Sequence, residues 1–302
     1  MTRHLLTILD LSREEIEALL ARARELKALH AQGKNPTPLA GKTVAMIFDK
    51  PSTRTRVSFE AGIAQLGGAS IYLAPGQTQM SRNEPIADTA RVLSRYVNGV
   101  VVRTFAQDTV AELARHSTIP VINGLTDTHH PCQVLSDLMT MQERFGDLAG
   151  LKVAWVGDGN NMANSWITAA MHLDFALYLA CPSGYGPDAA LLHQAQAQGA
   201  QVFLGQDPKE AVADAAVINT DVWASMGQEG EADARGEVFQ PYQVNTALLK
   251  LAAPEAIVLH CLPAHRGEEI TAEVLDGPQS AAWDQAENRL HFQKALLEWL
   301  LG

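Results

Sequence analysis

Apolar and polar positions recur along this chain in two periods, and the switching between them outlines the fold. Ile16, Leu19, Leu20, Ala23, Leu26 and Leu29 return at the three- and four-residue spacing that lines one helix face. Ser12 and Glu15 stand ahead of them as a capping box, and Asn35-Pro36-Thr37-Pro38 stops the run. Short apolar runs then alternate with helical patterns. Strands are predicted at 43–48, 69–73, 99–103 and 119–122, with helices near 53–66, 85–96 and 107–116 between them. A longer amphipathic helix is predicted from Pro131 to Phe145, with the proline at the first helical position, where no N–H is required.

Asp147-Leu148-Ala149-Gly150 breaks the pattern, and the alternation restarts at Lys152. Further strands are predicted at 152–156, 175–180, 200–204, 216–219 and 257–260, followed by a helix at 284–301. Strands alternating with helices imply βαβ units and parallel sheets. The fold class is therefore α/β, with two doubly wound parallel-sheet domains of similar size linked by helices and the active site in the cleft between them. The expected domains are 1–146 and 147–283. The helix at 284–302 has Leu290, Ala295, Leu296, Trp299 and Leu300 available to dock back on the first.

Composition narrows the function. The chain has 302 residues and a net charge of −11, which argues against nucleic acid as a partner. A local cluster of arginines still suits a small anion, and Arg54, Arg56 and Arg103 are the candidates. Three scattered cysteines, Cys132, Cys181 and Cys261, fit a reducing compartment and form no C-x-x-C zinc motif. No signal peptide or membrane-spanning run stands out, so a cytoplasmic protein is expected.

Polar clusters fall where strands end, which is where open parallel sheets bind ligands. Pro51-Ser52-Thr53-Arg54-Thr55-Arg56 joins a strand to a helix. Helix N–H groups, two hydroxyl types and guanidinium groups there make a socket for a phosphate-bearing ligand. It is not a Walker A loop, because the glycines and the Gly-Lys-Ser/Thr ending are missing. Alone, the run also reads as a capped helix with solvated arginines, although Lys50 and the second arginine exceed what a cap requires. His130 and Gln133 share the first turn of the next helix and suit a polarised carbonyl; a helix-capping histidine is the competing reading.

Gly157-Asp158-Gly159-Asn160-Asn161-Met162 follows a strand, but Met162 occupies the place of the third glycine of a dinucleotide fingerprint. The asparagines suit a zwitterionic small molecule. Asp221-Val222-Trp223-Ala224-Ser225-Met226-Gly227 precedes an acidic stretch, 228–237, read as a long loop: an ammonium-binding aspartate followed by a lid, or a strand end followed by plain surface. His260-Cys261-Leu262-Pro263-Ala264-His265-Arg266 ends a buried strand. Its proline breaks the helix that a paired-histidine metal site would use, so no metal is expected.

In this order and spacing, from about Leu5 to the C-terminal helix, the motifs resemble those of the ornithine carbamoyltransferases. The Ser-Thr-Arg-Thr-Arg and His-Pro-Cys-Gln motifs are shared with aspartate carbamoyltransferases; Ser-Met-Gly and His-Cys-Leu-Pro point to ornithine. The resemblance implies transfer of the carbamoyl group of carbamoyl phosphate to the δ-amino group of L-ornithine, giving L-citrulline and phosphate, without cofactor or metal. It assigns Ser52, Thr53, Arg54, Thr55, Arg103, His130, Gln133, Cys261, Leu262 and Arg289 to carbamoyl phosphate, with Gln79 lent to a neighbouring subunit's site. Asn161, Asp221, Ser225 and Met226 match the ornithine site. Arg54, Arg103, His130, Asp221 and Cys261 form the expected catalytic set. The family implies a homotrimer, or a multiple of trimers, with shared active sites. Putrescine, N-acetylornithine and aspartate are the rival acceptors. A catalytically silent relative should lack a matched residue, and none is missing.

Overall fold

The central predicted strands form where apolar runs can be covered on both faces. The computed structural model describes residues 2–76, 84–224, 230 and 232–302. Its α-carbon contacts divide the chain into two compact units, residues Met1–Met139 with Glu287–Gly302, and residues Thr140–Ala286.

The first unit holds α1 (Arg13–Ala31), β1 (Thr43–Phe48), α2 (Thr53–Gln65), β2 (Ala69–Leu73), α3 (Ile86–Tyr96), β3 (Gly99–Arg103), α4 (Gln107–His116) and β4 (Val121–Leu125). Next comes α5 (Pro131–Phe145), which runs on into the second unit. The sheet is all parallel in the order β2-β1-β3-β4. β1 and β3 are almost wholly buried, whereas the edge strand β2 is half exposed. Val100, Val102, Ala45 and Ile47 pack with Ala90 of α3 and with Val110 and Leu113 of α4. Each such valine, leucine or isoleucine side chain contributes about 1.5–3 kcal/mol by leaving water.

The fourth strand begins later than the predicted 119–122. Pro120 has no N–H to donate to a ladder, and the polar Asn123-Gly124 that hides the strand in the sequence is part of a bulge. Val102 pairs with Asn123 but Arg103 pairs with Leu125, so one extra residue is fitted in next to a cluster of polar side chains. A Cβ at Gly124 would stand 3.2 Å from the Val102 carbonyl oxygen.

The second unit holds β5 (Lys152–Val156), α6 (Asn161–Ala170), β6 (Ala176–Ala180), α7 (Ala189–Ala197), β7 (Val202–Gly205), α8 (Pro208–Val212) and β8 (Val217–Thr220). It continues with α9 (Ala232–Phe239), α10 (Thr246–Leu249), β9 (Ile257–His260), α11 (Ala272–Leu275) and the start of α12 (Ala282–Leu301). This sheet is also all parallel, in the order β7-β6-β5-β8-β9. The acidic stretch 228–237, expected as a loop, instead carries most of α9. Its C-terminal Phe239 is fully buried, and that burial outweighs the low helix propensity of Gly236.

Residues 287–302 of α12 join the first unit through specific contacts. Arg22 grips Glu298 with two bonds of 3.0 and 2.9 Å, Lys27 Nζ donates to Asn288 Oδ1 at 2.7 Å, and Lys294 Nζ donates to Asn35 and Gln65 at 3.0 Å each. Gly62 of α2 lets Lys294 approach, since a Cβ there would lie 3.3 Å from Lys294 Cγ.

Candidate active site

In both sheets strand order reverses direction beside the first strand, between β1 and β3 and between β5 and β8. At such a switch point the loops after neighbouring strands diverge and leave a crevice at the carboxyl ends. The candidate residues sit at these positions in each unit.

In the first unit, Ser52 caps α2, its Oγ accepting the Thr55 N–H at 3.2 Å. Thr53 opens the helix and is exposed, Arg54 is half-buried and Thr55 is fully buried. Arg289 of α12 donates from Nη2 to Thr55 Oγ1 at 2.7 Å. Arg103, at the end of β3, is buried. His130 precedes α5 and is buried within the field of Arg289, Arg103 and Arg54. Burial first, then those three charges, hold its imidazolium pKa well below the usual histidine range. The ring is therefore neutral at physiological pH. Gln133 donates to Asp137 Oδ1 at 2.9 Å; its buried carbonyl oxygen accepts no hydrogen bond among the described residues. The charges of Arg289, Arg103 and Arg54 thus bear on a neutral imidazole, and Arg289 also reaches the first turn of α2, an arrangement suited to a phosphate dianion carrying a carbonyl.

Arg56 departs from the expected cluster. It bonds Glu60 at 3.0 Å and stacks 3.6 Å from the Tyr72 ring centroid. Residues two apart on a helix do not share a face, so Arg54 and Arg56 cannot serve one ligand. Cys132, inside the His-Pro-Cys-Gln motif, is a buried thiol pushed up to about 12 by burial, and it points at the Asn123 carbonyl oxygen.

In the second unit, Asp221 follows β8 and gathers three donors. Cys261 Sγ donates to its Oδ1 at 3.0 Å, the Val222 N–H to the same oxygen at 2.8 Å, and Asn160 Nδ2 to Oδ2 at 2.9 Å. Asn160 thus helps hold Asp221. Asn160 is the N-cap of α6, and its Oδ1 also accepts the Met162 N–H at 2.9 Å. Asn161 begins the helix itself and is half-buried. The two glycines of the motif have backbone reasons: Gly157 has φ +133°, and a Cβ at Gly159 would lie 2.2 Å from the Gly186 backbone. Gln79, Ser225 and Met226 lie outside the described residues.

Leu262 follows Cys261 with φ +61° and a cis bond to Pro263. Its N–H donates to His260 Nδ1 at 2.9 Å, which fixes the tautomer, so Nε2–H faces Glu269 Oε1 at 2.9 Å. Glu269 also accepts the His265 N–H at 2.6 Å. Asp221, His260 and Cys261 offer metal-ligand atoms within 4.8 Å of one another, as do His265, Glu268 and Glu269. In the first trio each of these groups already serves a hydrogen bond within the protein.

One functional-looking charge, Arg235, escapes sequence reading, and it pairs with the Asp158 of the glycine motif. Arg235 of α9 donates to Asp158 Oδ2 at 3.1 Å and to the Trp223 carbonyl at 2.9 Å. Burial raises the Asp158 carboxyl to about 6, with Arg235 opposing and Asp221 adding to the rise. An arginine on a helix otherwise ending in Val238-Phe239 is the faint signal for a buried partner.

Comparison with known proteins agrees with this architecture. Residues 3–143 match the family model for the aspartate/ornithine carbamoyltransferase carbamoyl-P binding domain, and residues 149–300 match that for the Asp/Orn binding domain. The chain is 59% identical over 303 residues to an ornithine carbamoyltransferase of Desulfotalea psychrophila, covering 100% of both. It is 56% identical over 299 residues to an anabolic ornithine carbamoyltransferase of Pseudomonas aeruginosa, covering 99% of this chain and 97% of that one. The solved ornithine carbamoyltransferase of Pyrococcus furiosus superposes with a TM-score of 0.96 at 51% identity, covering 99% of this chain and 97% of the other. On motifs, sheet topology and full-length likeness together, the chain belongs to the aspartate/ornithine carbamoyltransferase family.

Proposed function

We propose that this protein transfers the carbamoyl group from carbamoyl phosphate to the δ-amino group of L-ornithine, giving L-citrulline and phosphate. The observation that carries the donor half is a neutral, buried His130 in the field of Arg289, Arg103 and Arg54. Three buried or half-buried guanidinium groups call for a dianion, and a neutral imidazole beside them is suited to a carbonyl rather than to the phosphate. The full-length relatives named as ornithine carbamoyltransferases support the acceptor. The relative named anabolic supports a place in arginine biosynthesis.

The roles follow from the chemistry. Ser52, Thr53, Arg54, Thr55 and Arg289 bind the phosphate; Arg103, His130 and Gln133 orient the carbamoyl group. As the amine attacks, negative charge grows on the carbonyl oxygen, and Thr55, Arg103 and His130 are its donors. Each such donor is worth about 10²–10³ in rate. Collapse of the tetrahedral intermediate breaks the bond between carbon and the phosphate oxygen, and the expelled phosphate, whose charge the arginines already balance, takes up the proton that the attacking nitrogen sheds.

The ornithine amine resembles a lysine side chain, with a pKa of about 10.4 in water, and must lose a proton before attack. Asp221, held by Asn160 and Cys261, is suited to receive the ammonium and orient the free amine. The Cys261 thiol is spent as a donor to Asp221, so Cys261 positions and does not attack; Leu262 offers its backbone beside it. Asn161, Ser225 and Met226 serve the amino-acid end of ornithine. Drawing on the family resemblance, we read the assembly as a cytoplasmic homotrimer, or a multiple of trimers, in which Gln79 completes a neighbouring site; sedimentation velocity tests the assembly.

The decisive assay offers ornithine, putrescine, N-acetylornithine and aspartate in parallel with carbamoyl phosphate, with ureido products identified by mass. Turnover with ornithine alone is expected. Turnover with another amine overturns the acceptor, and no turnover by folded protein overturns the enzyme reading.

A further inference from the structure

Lys50 lies two residues before the helix cap Ser52, a natural place for a phosphate-binding cation. Its ammonium is engaged elsewhere. It forms an ion pair with Asp127 and lies 4.4 Å from the Phe105 ring centroid. The pair is lopsided in burial: the Lys50 side chain is 4% exposed, that of Asp127 57%. A buried ammonium needs a compensating charge, and the carboxylate supplying it stands three residues before His130.

The surroundings repeat the same connection by other means. The Asp49 N–H donates to the Arg103 carbonyl at 2.8 Å, and Thr104 Oγ1 donates to Asp49 Oδ2 at 2.7 Å. The Thr104 N–H donates to the Leu125 carbonyl at 3.0 Å, and the Asp127 N–H to the Phe105 carbonyl at 2.8 Å. The segments after β1, β3 and β4 are thereby stitched side by side. Lys50 and Phe105 come from the first two, Asp127 and His130 from the third.

We propose that Lys50 is a positioning residue for the donor half of the reaction and not a phosphate ligand: through Asp127 it holds the segment carrying His130 in register with the N-terminus of α2. This rests on the carbamoyl-transfer reading above. The Asp127 carboxylate cancels the lysine charge at short range, which leaves Arg54, Arg103 and Arg289 to balance the dianion. A cation shared between a carboxylate and the substrate phosphate would serve neither well.

The test is a mutant cycle of Lys50→Met, Asp127→Asn and the double variant. It uses steady-state citrulline formation with carbamoyl phosphate varied, together with calorimetric titration of carbamoyl phosphate. Misplacing the His130 segment should lower kcat about tenfold or more in either single variant. The KM for carbamoyl phosphate should stay within about threefold of wild type. The double variant should be no worse than the poorer single one, because one interaction is lost once. Lys50→Arg, which keeps a cation opposite Asp127, should recover most of the turnover. Asp127→Asn changes an exposed carboxylate, so it keeps the test decisive should Lys50→Met not fold.

Wild-type kcat in Asp127→Asn, with weakened carbamoyl phosphate binding in Lys50→Met, overturns the proposal and makes Lys50 a ligand. Additive losses overturn it as well. A wild-type protein that forms no citrulline instead overturns the carbamoyl-transfer reading, and the proposal with it.

Discussion

Replacing Arg289 with methionine should damage one substrate's chemistry and spare the other's. Arg289 is 3% exposed and reaches Thr55 Oγ1 at 2.7 Å. It is also the foremost of the three charges that depress the His130 pKa. Methionine retains much of the buried stem, and the contacts of Arg22 and Lys294 that dock α12 are untouched. What is lost is a charge-assisted hydrogen bond in a buried site, worth about 1.5–3 kcal/mol. At 1.4 kcal/mol per decade this is a fall of about tenfold to a hundredfold in kcat/KM for carbamoyl phosphate.

The assay is initial-rate citrulline formation with each substrate varied in turn, and the KM for ornithine should move less than about threefold. A second readout comes from pH. Without the Arg289 charge the His130 pKa rises toward its ordinary value, so the acid limb of kcat/KM moves to higher pH. The variant then loses activity on the acid side at a pH at which the wild type retains it. An equal loss of efficiency for both substrates, or a limb displaced to lower pH, would refute the placement of Arg289 beside His130 and the donor.

Other outcomes follow from the same geometry. His130→Ala should lower kcat by about 10²–10³, and because the wild-type imidazole is already neutral, wild-type kcat measured from pH 6.5 to 8 should carry no titration of this group. For Asp158, whose carboxyl sits at about 6 against about 3.9 unfolded, the folded state binds the extra proton between those values. Its contribution to stability is full below pH ~4 and falls by about 3 kcal/mol as pH rises through about 6. The melting temperature of wild type minus that of Asp158→Asn should therefore fall between pH 4.5 and 7.5, and a difference that stays constant would contradict the shift. Cys261→Ser keeps a donor to Asp221 and should retain turnover within about tenfold of wild type; an acyl-enzyme trapped from the wild type by rapid quench would make the thiol a nucleophile instead.

Which parts of the site can be read from sequence depends on how each part is built. The anion pocket is made largely of contiguous residues and of backbone N–H groups, so Ser52–Thr55 announce it through a strand-to-helix junction alone. The strands announce themselves in the same way, because β1, β3, β5 and β9 are largely apolar runs buried on both faces. Helical phase separates Arg54 from Arg56 already in the sequence, since both fall within the predicted helix, whereas the start of a helix is legible only to within a residue. That same one-residue ambiguity conceals that Asn160 caps α6 and holds Asp221, while Asn161 opens the helix. Boundaries are where periodicity is weakest.

The second kind of part is a pairing between distant residues, and periodicity carries no information about it. Arg289 meets Thr55 across 234 positions of sequence, and only family resemblance brings it forward. Arg235 meets Asp158 across 77, within a segment whose acidity suggests a solvated loop. Its helix forms because Phe239 is buried, and only the helix delivers the guanidinium to Asp158. His260 and Glu269 are closer, nine apart, yet the turn at Leu262-Pro263 makes their approach a matter of backbone path rather than of period. Such pairs also decide the electrostatics: the low pKa of His130 and the raised pKa of Asp158 both arise from burial and from charges contributed by distant segments. The chemistry of this protein is thus announced by its loops, but its tuning is written in contacts that exist only after folding.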